Sequence, residues 1–188
     1  GAPLTEHSPR ARIERGIALV PEERKLQGLF LGLGVRLNIA IASESRRSRA
    51  GLLDRHADVR LARETVQRLD IKTATLDGDV GALSGGNQQK VVLGRWLALA
   101  PRVFLLDEPT RGIDVRARAE VHALVRELAR TGAAVLFASS EMEELFALAD
   151  RVLVMQEGRL TGVLGRSEFT EQRVMALATG AAGERLET

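Results

Sequence analysis

The chain of 188 residues has no cysteine and no tyrosine, and aromatic residues make up only 3% of it. Without cysteine there can be no disulfide, no thiolate chemistry and no cysteine-held zinc, a composition that suits a reducing compartment. So few aromatic rings leave little on which nucleic-acid bases could stack, and 27 basic residues against 25 acidic ones give a net charge of only +2. No basic surface is implied, and nucleic-acid binding is not expected. No stretch approaches the roughly 18 apolar residues of a membrane span, and the first residues lack the apolar core of a secretion signal. A soluble, intracellular chain is the expectation. Hydrophobic residues still make up 45%, enough to bury a real core in one domain, with room for a subdomain.

Gly16-Ile-Ala-Leu-Val-Pro21 reads as a buried strand closed by proline, and Glu22 to Gly28 as a charged loop after it. From Val35 to about Asp79 the pattern turns helical: Leu37 to Ile41, then Asp58 to Leu69 with Val59, Ala62, Val66 and Leu69 three and four apart. Ser43 to Arg49 between them has loop composition, its arginines facing solvent or an anionic head group. After Pro101 strands and helices alternate. Strands are expected at Val103–Leu106, Ala134–Ala138 and Arg151–Met155, and helices at Arg116–Ala129 and Met142–Ala149. That alternation predicts an α/β fold with a mainly parallel sheet and flanking helices. Gln156 to Arg159 reads as a turn into Leu160–Leu164, and Ser167 to Ala178 as a last helix capped by Ser167, before a frayed tail from Gly180 to Thr188.

Two stretches carry chemistry. In open α/β sheets functional groups gather at the carboxyl ends of strands, and Asp107 and Glu108 follow such a run. Asp107 can hold Mg²⁺ and Glu108 can polarise a water, but an Asp-Glu-Pro that simply ends a strand fits the same residues. Ser84-Gly85-Gly86 precedes the apolar stretch Val91, Val92, Trp96, Leu97 and Leu99. Glycines at a helix start let backbone amides approach an anion, and Ser84 can cap the helix or donate its hydroxyl; a plain turn is the alternative. For His7, His56 and His122 an ordinary surface or packing position is the simplest reading.

Taken together, "LSGGNQQK" at Leu83–Lys90 and "VFLLDEPTRGID" at Val103–Asp114 resemble the ATP-binding-cassette (ABC) ATPases. Leu83 to Gly86 matches the family's signature sequence, Val103 to Glu108 its Walker B, and Arg111 to Asp114 its D-loop. With "GIALVPEERKLQGL" upstream, the likeness is to the second cassette of bacterial sugar importers of the ribose, galactose and xylose class, over about Ser8 to Leu177. Nucleoside importers share Asn87-Gln-Gln-Lys90 but commonly lose the Asp-Glu pair, which is present here.

The resemblance implies a P-loop NTPase-like sheet at 16–21 and 101–165, a helical signature subdomain at about 35–100, and a C-terminal helix and tail at 166–188. It implies ATP and Mg²⁺ as cofactors, Glu108 as catalytic, Ser84, Gly85, Gly86, Asn87, Gln88, Asp114 and Ser140 as nucleotide-binding, and Asp107 and Glu22 as metal-binding. The implied partners are a second cassette, either an N-terminal half or a homodimer mate, an integral-membrane permease and, indirectly, a sugar-binding protein. The place of work is the cytoplasmic face of the inner membrane. The alternative is a catalytically inactive cassette that docks on a permease or a companion through Glu22–Lys25 and the helical segment. Three departures qualify this. No G-x-x-x-x-G-K-[ST] loop is present, so the cassette is expected to be incomplete at its N-terminus and inactive in isolation. Glu22 stands where the family has the Q-loop glutamine, and Ser140 where it has the switch histidine.

Overall fold

The computed structural model describes Thr5, residues 8–49 and residues 52–180. His7 and the tail residues 181–188 lie outside the described residues. By contacts the chain divides into two compact units, one ending at Ala138 and the other starting at Ser139.

The first unit opens with helix α1 (Pro9–Glu14), strand β1 (Ile17–Val20) and a π-helical turn (Arg24–Gly28) where a plain loop was expected. Helix α2 (Val35–Ala40) and a 3-10 turn (Ile41–Ser43) lead into α3 (Glu44–Arg47) and the short antiparallel strands β2 (Ser48–Arg49) and β3 (Leu52–Leu53). The expected loop over 43–49 is therefore ordered. Arg47 explains part of this: its guanidinium donates to Asp58 Oδ1 at 2.7 Å and to the Ala40 carbonyl at 2.6 Å, so a half-buried arginine organises the turn. Helix α4 (Arg55–Arg68) follows, capped by the Asp54 carboxylate, which accepts from the Ala57 amide at 2.9 Å.

Then come α5 (Gly85–Leu97), β4 (Val103–Asp107), α6 (Val115–Arg130) and β5 (Ala134–Ala138). The Asp114 carboxylate caps α6 by accepting from the Ala117 amide at 2.9 Å, and Val121, Leu124, Val125 and Leu128 form its buried stripe. The sheet is parallel in the order β1-β4-β5, with Val20 opposite Leu106 and Asp107 opposite Ala138. One core lies between this sheet and its helices, with Ala18, Val20, Phe104 and Leu106 fully or nearly fully buried. Burying Val20, Phe104 and Leu106 contributes about 1.5–3 kcal/mol each. A second core joins α2, α4 and α5 through Val35, Ile39, Ala62, Val91, Val92 and Leu93.

At the centre of this helical layer sits a polar knot. The Asn38 side chain accepts from the Phe30 amide and donates to the carbonyls of Phe30, Leu33 and Gly34 at 2.9–3.2 Å. Buried Arg95 donates to the Asn38 carbonyl at 2.7 Å and to its Oδ1 at 2.9 Å, and lies 5.4 Å from the centre of the Phe30 ring. Burial lowers the Arg95 pKa to about 10.

In the second unit α7 (Met142–Leu148) precedes β6 (Arg151–Gln156) and β7 (Arg159–Gly165). The expected strand at Arg151 does not extend the β1-β4-β5 sheet; it pairs antiparallel with β7 in a two-stranded sheet. The pairing with β7 is set by the two-residue turn between them, Glu157 and Gly158 with φ of 49° and 77°, a primed hairpin turn. The last helix, α8 (Glu171–Thr179), starts four residues later than expected. Thr170, not Ser167, is its cap, accepting from the Arg173 amide at 3.2 Å, and Ser167 lies in a 3-10 turn. Gly180 at φ 76° ends the helix. Phe146 stacks on Phe169 with centroids 5.6 Å apart.

Candidate functional site

The parallel register of β1 and β4 delivers Glu22 and the pair Asp107–Glu108 to the same carboxyl end of the sheet. Asp107 is exposed there, and its carboxylate has no ion pair among the described residues. Glu108 adopts φ 45°, left-handed backbone that a side-chain-bearing residue occupies only at a cost of about 1–3 kcal/mol. Its amide donates to the Ala138 carbonyl at 3.0 Å and its carbonyl accepts from Arg111 at 3.1 Å, so neighbouring strand and turn hold the kink. Glu22 is engaged by an ion pair with Arg111, whose guanidinium also lies 3.8 Å from Glu23.

Among the described residues no group of three histidine or carboxylate side chains is arranged to hold a metal ion. Mg²⁺ is commonly held by one or two carboxylates with phosphate oxygens and water completing the shell. Asp107 fits as such a single ligand, and Glu22 does so only by leaving Arg111.

The second cluster forms at the start of α5. Ser84 Oγ accepts from the Asn87 side-chain amide at 2.9 Å and from its backbone amide at 3.5 Å. The hydroxyl keeps its own proton to donate. The amides of Gly85 and Gly86 belong to the first turn and have no intrahelical acceptor. Asn87 Oδ1 in turn accepts from the Lys72 amide at 2.8 Å, so Asn87 ties the motif to the preceding loop. Gln88 faces inward, 2% exposed, donating to the carbonyls of Val80 and Gly81 and accepting from Arg24. Asp114 is spent on the α6 cap, yet it and Ser84 line one cleft of about 230 Å³ together with Lys72, Lys90 and Arg116.

Packing also bears on both glycines, most strictly on Gly86. A Cβ on Gly86 would stand 2.3 Å from the Ala117 Cβ of α6, and one on Gly85 would stand 2.7 Å from Arg24 Nη2. The two helix starts therefore meet at backbone distance. Ser140 lies in the second unit, exposed, just past β5 in sequence. Asn38 and Arg95 carried no sequence signal, and Arg24 only that of a charged docking loop. Their partners lie up to 88 positions away, and only the close approach implied by two adjacent glycines hinted at a neighbour.

A family model for ABC transporters matches residues 1–111, from ahead of β1 through the kink at Glu108. The chain belongs to the ABC transporter family. The resemblance read from the signature and Walker B residues thus holds, and so does the α/β architecture. Among curated relatives, ribose import ATP-binding protein RbsA 2 of Streptomyces avermitilis is 50% identical over 97% of this chain and 36% of its own length. RbsA of Yersinia pestis bv. Antiqua is 45% identical over 96% of this chain and 36% of its own length. The chain thus spans about a third of the length of the curated relatives it matches. An inward-facing metal-chelate type ABC transporter superposes with a TM-score of 0.73 over 88% of this chain and 64% of that one, at 19% identity, which speaks to the fold alone. Among the described residues of this ABC chain no helix is long and apolar enough to cross a membrane.

Proposed function

We propose that this chain works as the signature-bearing portion of the second cassette of a carbohydrate-import ATPase, most closely a ribose importer, and completes an ATP site whose phosphate loop belongs to a companion cassette. The observation that carries this is the donor trio at the start of α5: the Ser84 hydroxyl and the first-turn amides of Gly85 and Gly86, which have no intrahelical acceptor. Two backbone amides fixed by the helix, with a hydroxyl that can turn to join them, suit a γ-phosphate and require little rearrangement as charge develops there. The relatives named for ribose import, half identical across this segment, support the sugar class.

Asp107, Glu108 and Glu22 serve a second nucleotide at the carboxyl end of the sheet. There Glu108 polarises the attacking water, and Asp107, exposed at the strand end, offers a single ligand to Mg²⁺. When bound, the cation neutralises charge on the phosphate oxygens. Ser140, exposed in the second unit, bears a hydroxyl that cannot carry a proton as an imidazole does. Gln88, buried and bonded on three sides, shapes the motif from beneath instead of touching nucleotide. In the complete assembly this ATPase docks on a membrane permease and sits peripherally on the cytoplasmic face of the membrane.

The test mixes this chain with a companion cassette that carries the phosphate loop and follows phosphate release from ATP. The chain alone is expected to be silent and the mixture active, with Ser84→Arg, which blocks the donor trio, silencing the mixture. Turnover by the chain alone, or a mixture indifferent to Ser84→Arg, refutes the assignment.

A further inference from the structure

Arg24, first residue of the π-helical turn, has its guanidinium spread over two segments remote from it in sequence. Nη1 donates to the Arg111 carbonyl at 2.7 Å, Nη2 to the Gly112 carbonyl at 3.2 Å, and Nε to Gln88 Oε1 at 3.4 Å. Gln88 passes the connection on, donating to Val80 and Gly81 in the loop that leads into the signature. The absence of a side chain at Gly85 makes room for the fork, since a Cβ there would stand 2.7 Å from Nη2 and 3.0 Å from the Gly112 carbonyl. A second tie, the Glu22–Arg111 ion pair, joins the same two turns. The fork matters here: a planar guanidinium reaches two carbonyls and an amide oxygen at fixed angles, which an ammonium cannot reproduce.

We propose that Arg24 is a positioning residue that clasps the 111–112 turn to the Ser84–Gln88 end of α5, so that the donor trio and the D-loop present one rigid surface to the companion's nucleotide. The consequence for activity rests on the function proposed above; the clasp itself does not. Without it, α5 keeps its core contacts, but its first turn and the 111–114 turn lose their common anchor.

Two measurements test it in the protein assembled with its companion cassette. In hydrogen exchange without nucleotide, Arg24→Met is expected to raise exchange roughly tenfold at the Gln88, Ile113 and Ala117 amides, leaving Phe104 to Leu106 unchanged. Arg24→Lys, which keeps the charge and loses the fork, is expected to behave like Arg24→Met. In ATP turnover both variants should lower kcat roughly tenfold to a hundredfold, as misplacement of a fixed donor does. KM for ATP should stay within about twofold, because the companion holds most of the nucleotide. Unchanged exchange in Arg24→Met, or full restoration by Arg24→Lys, overturns the clasp. If Arg24→Met fails to fold, Arg24→Lys under the same readout decides. If the wild-type assembly turns over no ATP, the functional reading fails while the exchange comparison still judges the clasp.

Discussion

Gly86→Ala separates two reasons for a glycine that sequence alone cannot distinguish, access for an anion and contact between helices. The added Cβ would stand 2.3 Å from the Ala117 Cβ, and ordinary contact begins at 3.4 Å, so α5 and α6 would have to part by about 1.1 Å. Neither helix yields easily: Val91, Val92 and Leu93 on one and Val121 on the other are completely buried. Overpacking of this kind costs about 1–3 kcal/mol, and replacing glycine in a helix returns up to about 1 kcal/mol. The two combine to a net loss centred on about 1.5 kcal/mol, equivalent to about 3–6 °C in Tm for a chain of this size. Urea denaturation of the wild type, Gly86→Ala, Ala117→Gly and the double variant gives the full cycle. Ala117→Gly removes the opposing methyl, so the double variant should be more stable than the two single losses predict, with a coupling of at least about 1 kcal/mol. An unchanged midpoint for Gly86→Ala, or strict additivity, would refute the packing argument. ATP turnover then divides the remaining roles. Recovery in the double variant assigns Gly86 to packing, and a stable double variant without turnover assigns it to the phosphate.

Glu108→Gln should keep the fold and abolish turnover at the site the carboxyl end of this chain's sheet serves, read as phosphate release in the assembled protein; Glu108→Gly should do the same with unchanged or up to about 1 kcal/mol greater stability, because φ 45° suits glycine. Asn38→Ala removes four side-chain hydrogen bonds to the Phe30–Gly34 segment and leaves Arg95 with one acceptor fewer. A loss of at least about 3 kcal/mol in urea denaturation is expected, and a loss below about 1 kcal/mol would show that water replaces the network. Three carboxylates are held below their ordinary pKa: Asp54 by the Ala57 amide, Asp70 by Lys72 and Glu120 by Lys90. For a depressed carboxylate the stabilisation is present above the unfolded value, here 3.8 to 4.5, and is lost as pH falls through the lower folded value. The urea midpoint should therefore fall steadily below about pH 4.5, with a shallower slope in Glu120→Gln.

What could be read from the chain divides along the range of the interactions involved. Strands β1, β4 and β5 and helix α6 were legible because their apolar spacing is local and uniform, and each is closed by a capping or breaking residue: Pro21, Asp114, the turn at Gly132. The carboxylates at the carboxyl end of the sheet were legible for the same reason, since a polar pair after four apolar residues falls at a strand end whatever its neighbours do. The hairpin was legible as a turn but not as a separate sheet, because strand pairing across sheets depends on edges that one strand's own sequence does not encode. The loop at 43–49 was misread because Arg47 finds its acceptors at Ala40 and Asp58, and composition reports charge without reporting where it is satisfied. The same limit applies to the site itself. Composition, spacing and motif order could place Ser84 and Gly85 before a helix, but the reason that Gly85 bears no side chain is a guanidinium from Arg24, 61 positions upstream, passing beneath it to a carbonyl beyond β4. A motif that reads as four consecutive residues is thus one wall of a three-segment construction. Substitutions at Arg24 or Ala117 should disturb it as surely as substitutions within Leu83–Gly86.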